Sequence, residues 1–204
     1  MDILIRDPST QRAILRQRAN NQSDRWDEVW EGVYVVSPQP NDEHQEIATL
    51  LASIFAHIID FAKLGKVRAG VNVTDRKKEW KQNYRCPDVA VFLNGTTAVN
   101  LGTRWLGGPD FVVEVVSKGD SAREKLDFYA KVGVRELLLV DRFPWALELY
   151  RLEAGLLNLV GTSDPSQSQI LTSEALPLTF RLIPGEPRPR IEVAHSDGVQ
   201  RWMI

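Results

Sequence analysis

Residues 108–125 read GPDFVVEVVSKGDSAREK, and the fold turns on how the first half of that stretch is read. Phe111 to Val116 is an apolar run broken by a single carboxylate, Glu114. Alternate side chains of a strand share a face, so Asp110, Val112, Glu114 and Val116 point one way while Phe111, Val113 and Val115 point the other. Both faces are apolar around Glu114, the pattern of a central strand covered on both sides. An ionised carboxylate buried there without a partner costs on the order of several kcal/mol even after relaxation. Either a cation meets Glu114, an arginine, a lysine or a metal ion, or the residue sits at an opening of the sheet.

The second half of the stretch offers one. Ser121-Ala122-Arg123-Glu124 has the form of a capping box, which predicts a helix over 122–132, closed by Gly133, with Lys125 in its first turn. The dipole disfavours a cation at a helix start, so the position makes most sense beside an anion. The competing reading is a lysine whose stem covers core while its head reaches water.

A second acid lies upstream. Asp88 opens Pro87-Asp88-Val89-Ala90-Val91-Phe92, another apolar strand with a carboxylate at its mouth. Two strand-borne acids that converge repel each other unless a divalent cation lies between them. A Pro-Asp pair also starts turns for purely local reasons, and a structural ion pair remains the rival account of Glu114.

Around this centre the chain alternates strands and few helices. Gly32–Val36 reads as a strand stopped by Ser37-Pro38-Gln39-Pro40. Ile47, Leu50, Leu51, Ile54, Phe55, Ile58 and either Phe61 or Ala62 keep helical spacing, which predicts a helix from about 42 to about 63, capped by Asn41 and ended by Gly65. Strands are expected at 66–74, 87–93, 110–116 and 135–141, with a hairpin of 146–152 and 156–160 about Glu153-Ala154-Gly155. Such an order argues for an α/β fold: a mixed sheet, part parallel and part antiparallel, flanked by helices. Residues 1–25, rich in Arg, Gln and Asn, read as a loosely attached arm with a short helix capped at Ser9-Thr10. Residues 26–185 form the expected domain, and 186–204 an extended, proline-rich tail.

Composition sets limits. The 204 residues suit one core; 25 Lys and Arg against 27 Asp and Glu leave no net positive field, so any nucleic-acid site must be a local patch. The single cysteine, Cys86, excludes an internal disulfide and reads as buried and structural. No apolar run reaches the length of a membrane span or a secretory leader, which leads to the expectation of a cytoplasmic protein. His44, His57 and His195 lie in no zinc-binding motif, and no serine-hydrolase or phosphate-loop motif appears.

Asp88, Glu114 and Lys125 together resemble the active site of the PD-(D/E)XK nuclease superfamily. More narrowly, EGVYVVSP, EHQ, NYRCPDVAVF, GPDFVVEVVS, EKLDFYAKVGVRELLLVD and LELYRL, in that order, resemble the Uma-two restriction endonuclease family. The usual superfamily lysine lies two residues after the glutamate, where this chain has Val116; the family is similar in placing it on the following helix, at Lys125. Ser117-Lys118-Gly119 departs from a common Ser-Pro-Ser, leaving Lys118 in reserve.

The resemblance implies a restriction-endonuclease-like sheet and phosphodiester hydrolysis of DNA by a Mg²⁺-dependent endonuclease, with Mn²⁺ as the other candidate ion, in a homodimer. Asp88, Glu114 and the Val115 carbonyl would hold the ion, and Glu28, Glu43, His44 or Glu46 would complete its shell. Arg76, Lys77, Lys78, Trp80, Lys81 and Arg85, with Tyr84 among them, would offer phosphate contacts and a stacking ring. The alternative is an inactive nuclease-fold dimer that serves as a binding or scaffold module.

Overall fold

A computed structural model describes residues 3–21, 23–37, 39–119 and 121–204; Pro38, assigned to the end of a strand, lies outside them. The expected mixed sheet is the centre of the molecule. Six strands run in the order 156–163, 145–153, 136–142, 111–115, 89–93, 65–69. Phe111–Val115 and Glu136–Arg142 are parallel, with Glu114 beside Leu139, and every other neighbouring pair is antiparallel. One parallel pair in an otherwise antiparallel sheet needs one crossover, and the helix after Glu114 supplies it.

The two faces of the glutamate strand divide as period two dictates. Phe111, Val113 and Val115 join Leu138 and Val140 in a core that includes Ile47, Leu51 and Phe55 of the long helix and Phe180, Leu182, Ile191 and Val193 of a four-stranded sheet. Val112 and Val116 join Leu137 and Leu139 against Phe128 and Tyr129. Glu114 shares this second face. A third, seven-stranded sheet of short strands includes Glu28–Trp30 and Val33–Val36. Glu31 and Gly32, with φ of 46° and 84°, form the tight two-residue turn between these two strands.

Helices α1 (Pro8–Asn20), α2 (Asp42–Phe55) and α3 (Leu126–Val132) flank the sheets, and several boundaries differ from the sequence reading. Asn41 caps α2 through its bond from the His44 amide, as expected. The helix then widens over Ala56–Asp60 into bonds five residues apart, such as Phe61 N to Ala56 O. Gly65 does not stop it. Lys63, at φ 60°, takes the left-handed turn, and Gly65 opens the next strand, where a methyl group would lie 2.4 Å from the Phe92 carbonyl oxygen. Close approach of two backbones explains this glycine.

The expected strand over 66–74 is two strands, Gly65–Ala69 and Val73–Thr74, in different sheets. Residues 122–125 form a 3₁₀ turn ahead of α3, and Ser121, at φ −100° and ψ 26°, is outside the extended conformation a capping box requires. Both termini are parts of the fold. Ile3–Ile5 pairs with Tyr34–Val36, and α1 is capped by Asp7, whose carboxylate accepts from the Thr10 amide at 2.7 Å. The expected tail contributes strands Arg190–His195 and Arg201–Met203, and Ile191, Val193 and Ile204 are core residues. Among the described residues no helix is long and apolar enough to cross a membrane.

Candidate active site

Lys125 stands between two buried acids. Its ammonium lies 3.1 Å from Glu114 Oε2 and 3.0 Å from Glu28 Oε1. The 3₁₀ turn and α3 form one continuous helical stretch over the Val112 face, so Tyr129, four residues on, comes to the same acid. Its hydroxyl donates to Glu114 Oε1. Glu28 is fixed just as closely: the Trp30 indole donates to Oε2 at 2.6 Å and the Cys86 amide to Oε1 at 2.8 Å. Cys86 itself is buried, and burial pushes its thiol well above the usual range, in keeping with a structural role.

Asp88 occupies the adjacent strand mouth. Val113 faces Val89 in an antiparallel register, so one further step sets Asp88 across from Glu114. Its Oδ2 accepts from the Val115 amide at 2.8 Å and lies 3.3 Å from His44 Nε2. The other ring nitrogen, His44 Nδ1, is buried with no hydrogen-bond partner among the described residues. Arg142 locks this corner: its guanidinium donates to the Val116 carbonyl, to Ser117 Oγ, to Asn41 Oδ1 and to Glu43 Oε2. The start of α2 and the end of the glutamate strand are thus held together.

Asp88, Glu114, Lys125, Glu28 and His44 meet in one region with Glu43 at its Arg142 corner, and the remaining sequence candidates are placed as follows. Glu46 pairs with Arg188 at 2.9 Å and Glu43 with Arg142 at 2.8 Å. Lys118 is exposed on the turn after the strand. Arg85 is not a surface contact: it is buried, donates to the Val29 carbonyl and lies over the Trp30 and Phe128 rings at 4.6 and 4.2 Å. Arg76 is spent on Asp75 and Glu31. Lys77, Lys78 and Lys81 remain exposed, and Trp80 lies 5.4 Å from Tyr84. Sequence reasoning missed Tyr129, Trp30 and Arg142; only Tyr129 carried a signal, its four-residue spacing from Lys125.

Among the described residues no three His, Cys, Asp or Glu side chains converge as a ready cation cage, Lys125 holding the place between Glu28 and Glu114. The chemistry of the donors nevertheless fits a hard divalent ion. Asp88, Glu114 and Glu28 supply carboxylate oxygens, the donors such an ion takes, and they outnumber the one lysine between Glu28 and Glu114. The strain is visible in Glu114, pushed up to about 8, chiefly by burial; Lys125 pulls it down, and Asp88 and Glu28 push it further up.

An unfolded glutamate loses its proton near pH ~4.3. Between that value and about 8 the folded chain keeps a proton that the unfolded chain has released, so stability from this group is full below the first value and lost as pH rises through the second. The metal-free melting temperature is expected to decline across that window, and Glu114→Gln to remove this part of the decline. Calorimetry over a pH series reads both. An equal slope in the variant would assign the titration to another group.

The Uma2 family model, described as "Putative restriction endonuclease", matches residues 13–184. A crystal structure of "a putative nuclease belonging to DUF820" from Anabaena variabilis superposes with a TM-score of 0.59, at 16% identity, covering 73% of this chain and 82% of that one. At that identity the likeness speaks to the fold. No curated protein matches the sequence.

Proposed function

Since the chain belongs to the Uma2 restriction endonuclease family, we propose that it is a metal-dependent nuclease that hydrolyses phosphodiester bonds of DNA. The observation that carries this reading is the pairing of one lysine with Glu28 and Glu114, with Asp88 across from Glu114 on the next strand, in surroundings dry enough to raise Glu114 far above an ordinary carboxylate. Asp88 and Glu114 are the proposed ligands of Mg²⁺ or Mn²⁺, with Val115 beside them and Glu28 and His44 at the shell's edge. An ion held there would supply Lewis acidity to the phosphoryl group and lower the pKa of water.

The chain's own residues do the rest. Lys125 places a fixed positive charge where the phosphorus centre gains negative charge. Tyr129 and Trp30 hold Glu114 and Glu28 in orientation, and His44 flanks Asp88. Lys77, Lys78 and Lys81 offer phosphate contacts, and Trp80 a ring for stacking. The purified chain is expected to nick or linearise supercoiled plasmid with Mg²⁺ or Mn²⁺ and to stop on chelation. Absence of cleavage with either ion, on both duplex and single-stranded DNA, would overturn the reading.

One observation favours a second reading, the inactive homodimeric binding module. Lys125 already satisfies both Glu28 and Glu114, as a structural ion pair would. Metal titration calorimetry separates the two, since a purely structural cluster takes up no ion that depends on Asp88 and Glu114.

A further inference from the structure

Helix α1 carries an unneutralised basic face that no part of the proposed site uses. Its sequence, PSTQRAILRQRAN, contains three arginines and no acid. Gln11, Ile14, Leu15 and Arg18 turn towards the protein, as the three- and four-residue spacing of a helix dictates, and Arg12, Ala13, Arg16, Gln17 and Asn20 turn outward. Arg12 and Arg16, one turn apart, are exposed and have no carboxylate within ion-pair distance among the described residues; Arg6, just ahead of the helix, shares that state. The nearest acid, Asp7, is committed to capping the helix.

Several arginines elsewhere are spent. Arg68, Arg76, Arg123, Arg135 and Arg151 each face a carboxylate. In a chain of net charge −2, a helix face whose only charges are two arginines offers anions a local attraction, apart from the exposed Lys77, Lys78 and Lys81.

The helix is also fixed to the site. Arg18 pairs with buried Asp27 at 2.5 Å, Tyr34 donates to the same carboxylate, and Asp27 immediately precedes Glu28. Gln11 donates to the Gly32 carbonyl in the turn that follows Glu28–Trp30. A ligand on the outward face of α1 is therefore registered against the strand that carries one of the proposed site acids.

We propose that this face, with Arg12 and Arg16 at its centre and Arg6 beside it, seats the phosphate backbone of duplex DNA. The inference rests on the nuclease reading above and names where its substrate lies. Arginine suits bidentate contact with phosphate oxygens, and the neighbouring Gln17 and Asn20 add neutral donors. A lipid surface fits less well: a helix that lies on a membrane sinks a large apolar face, whereas Ile14 and Leu15 here pack on Val29 and Tyr34.

The test is binding of a fluorescein-labelled duplex, followed by anisotropy over a salt series without divalent ions, for the wild-type chain and for R12Q/R16Q. Loss of two phosphate contacts should weaken binding roughly tenfold and lower the slope of log K against log salt by roughly 2. The charge reversal R12E/R16E should weaken it further, with a melting curve checking that the fold is kept. Unchanged affinity and slope in a protein that does cleave DNA would overturn this inference and leave the nuclease reading standing. A wild-type chain that neither binds nor cleaves DNA would end both. Arginine-dependent binding to anionic vesicles without binding to duplex would give the face to a membrane instead.

Discussion

The Lys125→Met variant is expected to unfold at a markedly lower urea concentration than the wild-type chain when divalent ions are absent, and to recover much of the loss when Mn²⁺ is added. Methionine keeps most of the buried stem, so packing changes little. What disappears is the charge between Glu28 and Glu114, 3.0 and 3.1 Å away. Breaking a buried pair by removing one partner typically costs about 3–5 kcal/mol, because the other partner is left uncompensated.

A divalent ion is the natural replacement, and at a hundred times its dissociation constant it returns about 2.7 kcal/mol. The rival account, a structural ion pair, predicts the same initial loss and no recovery with metal. Urea unfolding with and without Mn²⁺ decides between them.

Glu114→Gln is expected to behave in the opposite way, losing activity while keeping stability. Cleavage should fall by roughly two to three orders of magnitude, the scale on which removal of one preorganised charge-stabilising group is felt. The amide is neutral, and its oxygen still accepts from the Tyr129 hydroxyl or from Lys125, so at pH 8 the variant should melt no lower than the wild type. Lys125 then keeps Glu28 as its acid. A destabilisation of several kcal/mol with unchanged cleavage would identify Glu114 as a structural residue and sink its assignment as a ligand. Melting curves and plasmid cleavage on the same preparation give both readouts.

The features most open to reading were those set by strong local rules. The alternation of FVVEV placed Glu114 on the Val112 face, where the structure has it, because both faces of a central strand are constrained at once. Helical spacing found α2 for the same reason. The misreadings came where tertiary contact overrides local preference. Gly65 looks like a helix stop, yet it serves the approach of Phe92 and Leu93 from another strand. Arg85 belongs to a basic run in sequence, but its side chain turns inward to Trp30 and Phe128.

Residues 186–204 show a further limit. GEPRPR suggests an extended tail, and the alternation of Ile191 and Val193 that follows it marks a strand, given weight only by a partner such as Leu178–Ile183. Within the site, the partners of Glu28 could not be inferred. They come from Trp30, Cys86 and Lys125, of which only Trp30 is near in sequence.

Glu28 and Glu114 stand on different sheets, the first in the seven-stranded sheet and the second in the six-stranded one. Lys125 is the rivet through both layers. Whatever changes the charge balance at that rivet, a proton on Glu114 or an ion beside it, also changes how firmly the layers are clamped. If the site takes the ion proposed for it, loading the site and stiffening the joint between the sheets would be one mechanical variable.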